Sequence, residues 1–509
     1  MRSYSFAQEP HLSDRTFVDL IVIGGGINGV GIARDAAGRG LRVALIEQGD
    51  LGAGTSSAST KLIHGGLRYL EHFEFRLVRE SLQERERLLA LAPHLVRPIE
   101  FVLPHIPTLR PRWQIRAGLF LYDRLNGRQR LPASRSLDLT HAPFANVLQP
   151  QLRRGFAYSD CRVDDSRLVV LNALDAAARG AQVLTRTRFI TARDERGHWV
   201  ATCEEASTGR RFEISARAVV NAAGPWVERV LQGLPSVSVS TRVRLVKGSH
   251  LVVPRLYDDE FAFLFQHPDG RVIFAIPFEE AFTLIGTTDV AFTGDPAEAA
   301  IDDEEAQYLC EAVSRYLRTP VTRELVRWTY SGVRPLVDDA RNEISQITRD
   351  YRLELVRSPC GAPLLVVFGG KLTTYRRLAE HAVDRLQPLF GKPRASWTTN
   401  ATLPGGDIPQ GDFERFVRET LARWPFLPQA TCIRLARAYG TRIEQILGAS
   451  TSRAQLGEHF GGGLTEAEVQ YLRAQEWART ADDILWRRTK LGLHLTESER
   501  ARLVAYLET

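Results

Sequence analysis

Gly24, Gly26 and Gly29 are spaced G-x-G-x-x-G, and Glu47 follows Gly29 by 18 positions. These four residues have the types and spacing to hold a dinucleotide. Gly24 permits a tight turn out of a strand. Gly26 lacks the Cβ that would keep the backbone from a pyrophosphate, and Gly29 lets a helix lie close on a sheet. A helix that begins there turns free N–H groups and a positive dipole end toward phosphates. Glu47 is placed to accept hydrogen bonds from a ribose. A bare glycine fingerprint is a weak signal. This one lies between two apolar runs and ends on an acid, and that context makes it specific.

The elements that must position these residues follow from the flanking pattern. Residues 18–23 have the length and β-branched content of a buried strand, and residues 42–46 form a second. Between them a helical pattern runs to Arg39 and is ended by Gly40. Gly29, Ala33, Ala37 and Gly40 recur at helical spacing and keep one helix face thin. Two more junctions of strand, small residues and helix occur. Residues 218–221 run into Ala222-Ala223-Gly224-Pro225, and residues 364–368 run into Gly369-Gly370 ahead of a helix over 372–386. A loosely docked nicotinamide needs one such entry. Three separated entries fit a large, tightly held cofactor that threads the domain, which points to FAD.

The 509 residues suffice for two or three domains, with 44% apolar and 25% charged residues, as in ordinary globular proteins. The formal net charge of +6 suits anionic partners such as phosphorylated substrates or acidic lipids. No zinc-finger spacing, RNP motif or long basic tail supports nucleic acid. Cys161, Cys203, Cys310, Cys360 and Cys432 stand singly, which argues against disulfides or a structural metal site and for a reducing compartment. No apolar leader and no run of 18 apolar residues is visible, so neither a signal peptide nor a membrane-spanning helix is expected.

Residues 1–16 read as a polar tail. Residues 50–66 are rich in Gly, Ser and Thr and read as a functional loop or a short helix, and residues 68–91 turn helical. Residues 104–132 hold six arginines and one aspartate interleaved with Trp113, Ile115, Leu119, Phe120 and Tyr122. Such a segment can lie in the interface of an acidic bilayer, or it can be a solvated arginine face over a buried helix. Residues 160–178 end in a helix, and 183–187, 199–203 and 211–214 look like short strands. Residues 242–290 read as a β-meander in an antiparallel sheet, followed by a helix over 302–317.

The expected fold is α/β: a Rossmann-like FAD-binding domain from residues 17–105, 150–235 and 335–395, and an antiparallel β substrate or cap region from 106–149 and 236–334. An all-helical C-terminal domain over 396–509 completes it.

The motifs GGGINGVGIARDAAGRG, TSSASTKLIHGGLRYLE, YSDCRVDDSRLV, NAAGPWV, KGSHLVVP, IGTTD, WTYSGVRPL and FGGKLTTYRRLAEHA together resemble those of the FAD-dependent sn-glycerol-3-phosphate dehydrogenases. The resemblance covers residues 17–390 and extends into the tail at DDILWRRTKLGLHL. It implies a glutathione-reductase/D-amino-acid-oxidase type fold. It also implies hydride transfer from C2 of glycerol 3-phosphate to flavin N5, release of dihydroxyacetone phosphate, and electrons passed to a membrane quinone. A cytoplasmic enzyme lying peripherally on the inner membrane follows from that, with a homodimer as a further expectation. The alternatives are an oxidase using O₂, another FAD-dependent amine or hydroxy-acid oxidoreductase of the same fold, and a non-enzymatic binding module.

By the same resemblance Arg68, Tyr69, Arg334 and Lys371 contact substrate, and Arg349 is a secondary contact. His250 is the expected proton acceptor, with Arg334 competing as base or oxyanion stabiliser. Gly24, Gly26, Gly29 and Glu47 are carried over for the ADP part of the flavin, and Ser56, Ser57, Lys61 and His64 for its phosphates and ring surroundings. Ala222 and Gly224 serve the second crossing. Gly370, Leu372 and Thr373 lie near the ring, where the helix start favours its anion. No metal is expected.

Overall fold

Strands Thr16–Ile23, Val43–Ile46, Gln182–Leu184, Arg211–Asn221 and Pro363–Phe368 form the parallel heart of an eight-stranded sheet. The computed structural model describes residues 16–127, 130–338, 348–391 and 394–508, so the expected tail lies outside the described residues except for Thr16. Parallel strands are covered on both faces, which explains their unbroken apolar runs. Ile21, Val22, Leu45, Val219, Val220 and Leu365 are fully buried, each worth ~1.5–3 kcal/mol of apolar transfer. Helices Ile27–Gly38, Asp165–Ala178 and Tyr375–Leu386 cover one face. The thin helix face is needed there. A Cβ on Gly29 would stand 1.8 Å from the Gly24 carbonyl oxygen, and one on Gly31 would meet the Tyr375 ring at 2.9 Å. Trp199, Phe368 and Ala216 belong to the core of the opposite face.

Register decides where the glycine turns fall. Ile23 pairs with both Ile46 and Asn221, and Asn221 pairs with Val366. The three crossings therefore leave the sheet side by side at the carboxyl ends of its strands, where open α/β sheets place their ligands. The expected short strands at 211–214 and 218–221 are one continuous strand, Arg211–Asn221. Its outer half pairs antiparallel with His198–Glu205 and its inner half joins the parallel sheet.

The expected meander is antiparallel: Val243–Pro254, Ala262–Gln266, Val272–Phe278 and Phe282–Gly286, with Trp328–Val337 on the other side of the first. Arg97–Pro104 and Arg154–Arg162 extend this ten-stranded sheet through one parallel pair, although the expected partition put both in the cofactor domain. Helix Asp303–Ser314 packs behind it, started by a capping box between Asp302 and Glu305. The expected helix over 68–91 is broken: a 3₁₀ segment Leu67–His72 ends at left-handed Phe73, and the α-helix runs Phe75–Leu91. The C-terminal part has its own core around Trp424, Tyr439, Phe460 and Tyr471. It is helical, as expected, with one small two-stranded ribbon, His459–Gly461 with Leu464–Thr465.

Candidate active site

A cleft of about 1300 Å³ runs between the two sheets from the first glycine turn to the basic end of the antiparallel sheet. That exceeds the ~300–1,000 Å³ of an ordinary small-molecule site and suits a long cofactor with a second ligand beyond it. Gly24 and Gly26 form its near wall. Gly24 has φ +112°, and a Cβ there would lie 2.6 Å from the Ala222 carbonyl oxygen, so the first and second crossings touch through a glycine. The first and third also touch. Asn28 Nδ2 donates to the Gly369 carbonyl at 3.2 Å, and a Cβ on Gly370 would strike Asn28 at 2.7 Å.

The helix that follows Gly26 has no side-chain N-cap and no acid in its first turn. Ser56 Oγ instead accepts the Ile27 N–H at 2.9 Å, from a 3₁₀ turn Thr55–Ser57 that carries Ser57 into the cleft as well. Glu47 is held by the turn it must serve. Its carboxylate accepts the Gly25 N–H at 2.6 Å and the Gly49 N–H at 2.7 Å. Burial pushes its carboxyl above the ordinary value, against the lowering effect of those two donors. Glu47, Ser56, Ser57, His64, Ala222, Gly224, Gly370, Leu372 and Thr373 all line the cleft. His64 is kept neutral: burial, then the cations Lys371 and Arg85, holds its imidazole well below the usual range.

At the far end Arg68, Tyr69, Arg334, Arg349 and Lys371 come together from four separate segments. Gly66, at φ +82°, lets the Tyr69 ring fold back against the turn, where a Cβ would sit 2.2 Å from it. Lys371 Nζ then lies 5.0 Å from the Tyr69 ring centre and donates to the His64 carbonyl at 2.8 Å. Burial pulls its ammonium down to about 7.

Asp289, in the IGTTD motif, had no assigned role in the sequence. Its Oδ1 accepts from Arg334 Nη1 and, at 3.4 Å, from Arg349 Nη2, and Arg334 Nη2 donates to Thr287 Oγ1 at 3.1 Å. An acid inside an otherwise basic motif set was the available signal. Arg349 Nη1 is buried with no partner among the described residues. A planar donor left open in this way, beside two further cations, is suited to an incoming anion.

Two expected site residues are placed elsewhere, and Gly29 acts only through packing. Lys61 does not reach the cleft. Its ammonium is buried against Asp165 at 2.8 Å and the Ser57 carbonyl at 2.9 Å, so it fastens the serine turn from behind rather than meeting a phosphate. His250 is 1% exposed, stacked on Tyr330 at 4.7 Å, with Nε2 3.0 Å from Thr60 Oγ1. Thr60 and Tyr330 line the cleft, and the imidazole lies behind them. Burial, then Arg334 and Lys61, holds it well below its usual pKa. The acceptor role expected of it does not fit that position.

The three crossings fit the diphosphate-bearing cofactor that the sequence implied. Small residues line the cleft at all three turns, the half-buried Glu47 is bonded to the first of them, and a helix or 3₁₀ start follows each turn.

Comparison with known proteins gives the same direction. Residues 19–376 match the model of the FAD dependent oxidoreductase family, and residues 396–506 match that of the C-terminal domain of alpha-glycerophosphate oxidase. A glycerol-3-phosphate dehydrogenase of Pseudomonas aeruginosa is 53% identical, over 96% of this chain and 95% of its own. A D-erythritol 1-phosphate dehydrogenase of Brucella abortus is 51% identical, over 96% and 97%. The solved glycerol-3-phosphate dehydrogenase of Bacillus halodurans, complexed with FAD, superimposes with a TM-score of 0.73 at 29% identity, over 96% of this chain and 94% of that one.

Proposed function

Since this chain belongs to the FAD dependent oxidoreductase family, within its glycerol-3-phosphate dehydrogenases, we propose that its basic cleft end oxidises sn-glycerol 3-phosphate to dihydroxyacetone phosphate. Bound FAD supplies the acceptor, at N5, for the hydride that leaves C2. The remaining work falls to the protein. Arg349, with its open Nη1, and Arg68 hold the phosphate dianion. Arg334, fixed by Asp289 and Thr287, faces the C2 oxygen and stabilises negative charge developing there. A guanidinium paired with a carboxylate stays charged, so Arg334 is the oxyanion stabiliser of the two roles expected for it.

Lys371 is the proton acceptor for the C2 hydroxyl. A base works best with a pKa near the working pH. Lys371, brought down to about 7, meets that condition, whereas the imidazole of His250 is far weaker and out of reach. Tyr69 closes the site over the lysine, and the start of the helix after Gly370 would favour negative charge on the reduced flavin.

The observation that carries this reading is the convergence of Arg68, Arg334, Arg349 and Lys371 on the cleft, with a buried Arg349 donor unpartnered among the described residues. Its test is spectral. Purified protein is expected to be yellow, and anaerobic glycerol 3-phosphate to bleach the flavin band within turnover times. Protein that stays oxidised under saturating substrate overturns the assignment. The relative acting on D-erythritol 1-phosphate favours a second reading, in which the four-carbon phosphate is the better substrate. The ratio of kcat/KM for the two phosphates decides between them.

Electrons then pass to a membrane quinone. Among the described residues no helix is long and apolar enough to cross a membrane. Contact with the bilayer instead falls to helix Arg112–Arg124, which buries Ile115, Leu119 and Tyr122 and leaves Trp113 74% exposed. Reduction of a soluble quinone analogue, measured against peroxide release in air, separates a dehydrogenase from an oxidase.

A further inference from the structure

The C-terminal part touches the cofactor cleft through one short segment, the π-helix Asp483–Arg488, which lies against the loop just after Glu47. A π-helix is rare and concentrates at functional sites. Asp50, in that loop, is 4% exposed, and its carboxylate accepts three N–H groups from this segment. Arg487 Nε donates to Oδ2 at 2.6 Å, Arg488 Nη1 to Oδ2 at 2.8 Å and Arg488 Nη2 to Oδ1 at 2.8 Å. Arg488 is fully buried, and its guanidinium is fixed from behind by the Glu476 carbonyl at 2.6 Å. Asp483 reaches the other wall of the same corner. It accepts from Arg186, whose backbone N–H donates to the Gly49 carbonyl at 2.9 Å, and its carboxylate is set by the N–H groups of Arg479 at 2.7 Å and Thr480 at 2.9 Å.

The segment thus grips both chain stretches that shape the Glu47 corner. Glu47 itself is bonded to Gly49, one residue before Asp50, so the loop and the ribose acid move together. Gly49, Gly52 and Gly54 carry no side chains that could hold that arrangement; Leu51 packs into the core, and Asp50 is gripped by the C-terminal arginines. We infer that the C-terminal part is a working component of the FAD site: through Arg487, Arg488 and Asp483 it holds the loop after Glu47 in the shape that binds the adenosine end of the cofactor. Asp50, Arg487 and Arg488 are positioning residues in this scheme, acting on the adenosine side and not on the reacting atoms.

The inference rests on the FAD reading but is tested apart from turnover. Full-length holoprotein is diluted into buffer, and flavin release is followed by its fluorescence. Asp50→Asn and Arg487→Gln are compared with Arg434→Gln, which breaks the pair of Arg434 with Glu468 inside the C-terminal core, remote from the loop. Release at least tenfold faster in Asp50→Asn and Arg487→Gln, with Arg434→Gln within twofold of the parent, is expected. If the first two release flavin at the parental rate, the clamp has no role in binding. If all three release it equally faster, the effect is general loosening and the inference also fails. Should Asp50→Asn not fold, Arg487→Gln still decides, because its side chain is partly exposed and, among the described residues, it alone ties Asp50 to Asp483. A parent that carries no flavin at all fails the earlier reading, not this one.

Discussion

Lys371 and His250 make opposite demands on the same experiment. A lysine whose pKa is lowered is neutral, and able to take a proton, only above that value. With Lys371 near 7, kcat/KM for glycerol 3-phosphate rises through pH 6–8 and then levels. Lys371→Arg keeps the charge but cannot lose its proton in this range, and is expected to lower kcat/KM by ~10²–10⁴-fold. His250→Gln, which can still bond to Thr60, stays within about tenfold of the parent, a bound set by lost packing rather than lost proton transfer. Steady-state pH profiles of the two variants check both statements. If His250→Gln is the crippled one and its loss removes the pH step, the roles are reversed. Asp289→Asn removes the charge that aligns Arg334 and Arg349, and hydrogen bonds to charged groups are worth ~1.5–3 kcal/mol. A fall in kcat/KM of about 10–100-fold follows, with the flavin still bound. The basic residues were legible because they lie in matching motifs. The placement of His250 was not, because it depends on strand register: His250 pairs with Gly286, and only a glycine there leaves room for the ring, which a Cβ would meet at 2.2 Å. Lys61 was misplaced for a related reason, since its partner Asp165 lies 104 residues away.

At the scale of elements, the strand–glycine–helix junctions were readable from the chain. Buried parallel strands announce themselves as apolar runs, and the turn residues follow from steric need. Gly24→Ala illustrates how strict that need is. It places a methyl 2.6 Å from a carbonyl oxygen at φ +112°, so flavin-free protein is expected on purification, checked by the ratio of flavin to protein absorbance. Helix Arg112–Arg124 was legible only as two alternatives, a bilayer contact or an arginine face over a buried helix. It has a buried face, and beside it Trp113, Phe120 and Leu121 are exposed, with Phe73 79% and Phe75 40% exposed around the neighbouring 3₁₀ segment. Arginine neutralisation is a weak probe of bilayer contact here, since Arg110 is tied to Glu71 and Arg116 to Ser134. The aromatic side chains are the better one. Trp113→Ser with Phe120→Ser is expected to cut binding to anionic vesicles at least tenfold in a flotation assay, while soluble-acceptor activity is kept. Unchanged flotation places the membrane contact elsewhere.

For the molecule as a whole, the two sheets and the C-terminal part are joined by buried charge, which no local pattern in the chain announces. Arg167, on the helix Asp165–Ala178, donates to Glu476 and to the Ala438 carbonyl at 2.9 Å, and Lys490 reaches Asp164 at 3.3 Å. Arg167 and Glu476 are 1% and 0% exposed. Breaking such a pair by removing one partner leaves an uncompensated buried charge, at a cost of ~3–5 kcal/mol. For a chain of 509 residues unfolding as one unit, at ~2.1 cal/mol/K per residue, Glu476→Gln lowers Tm by about 3–5 °C and leaves a single calorimetric transition. Two transitions in the parent, with only one displaced by the variant, would mean that the parts unfold independently and that these ion pairs orient them without coupling their stability. One transition displaced as a whole means that losing the C-terminal part costs the cofactor domain its own stability, so a chain ending near residue 395 is expected to be insoluble or colourless even though every glycine crossing remains in it.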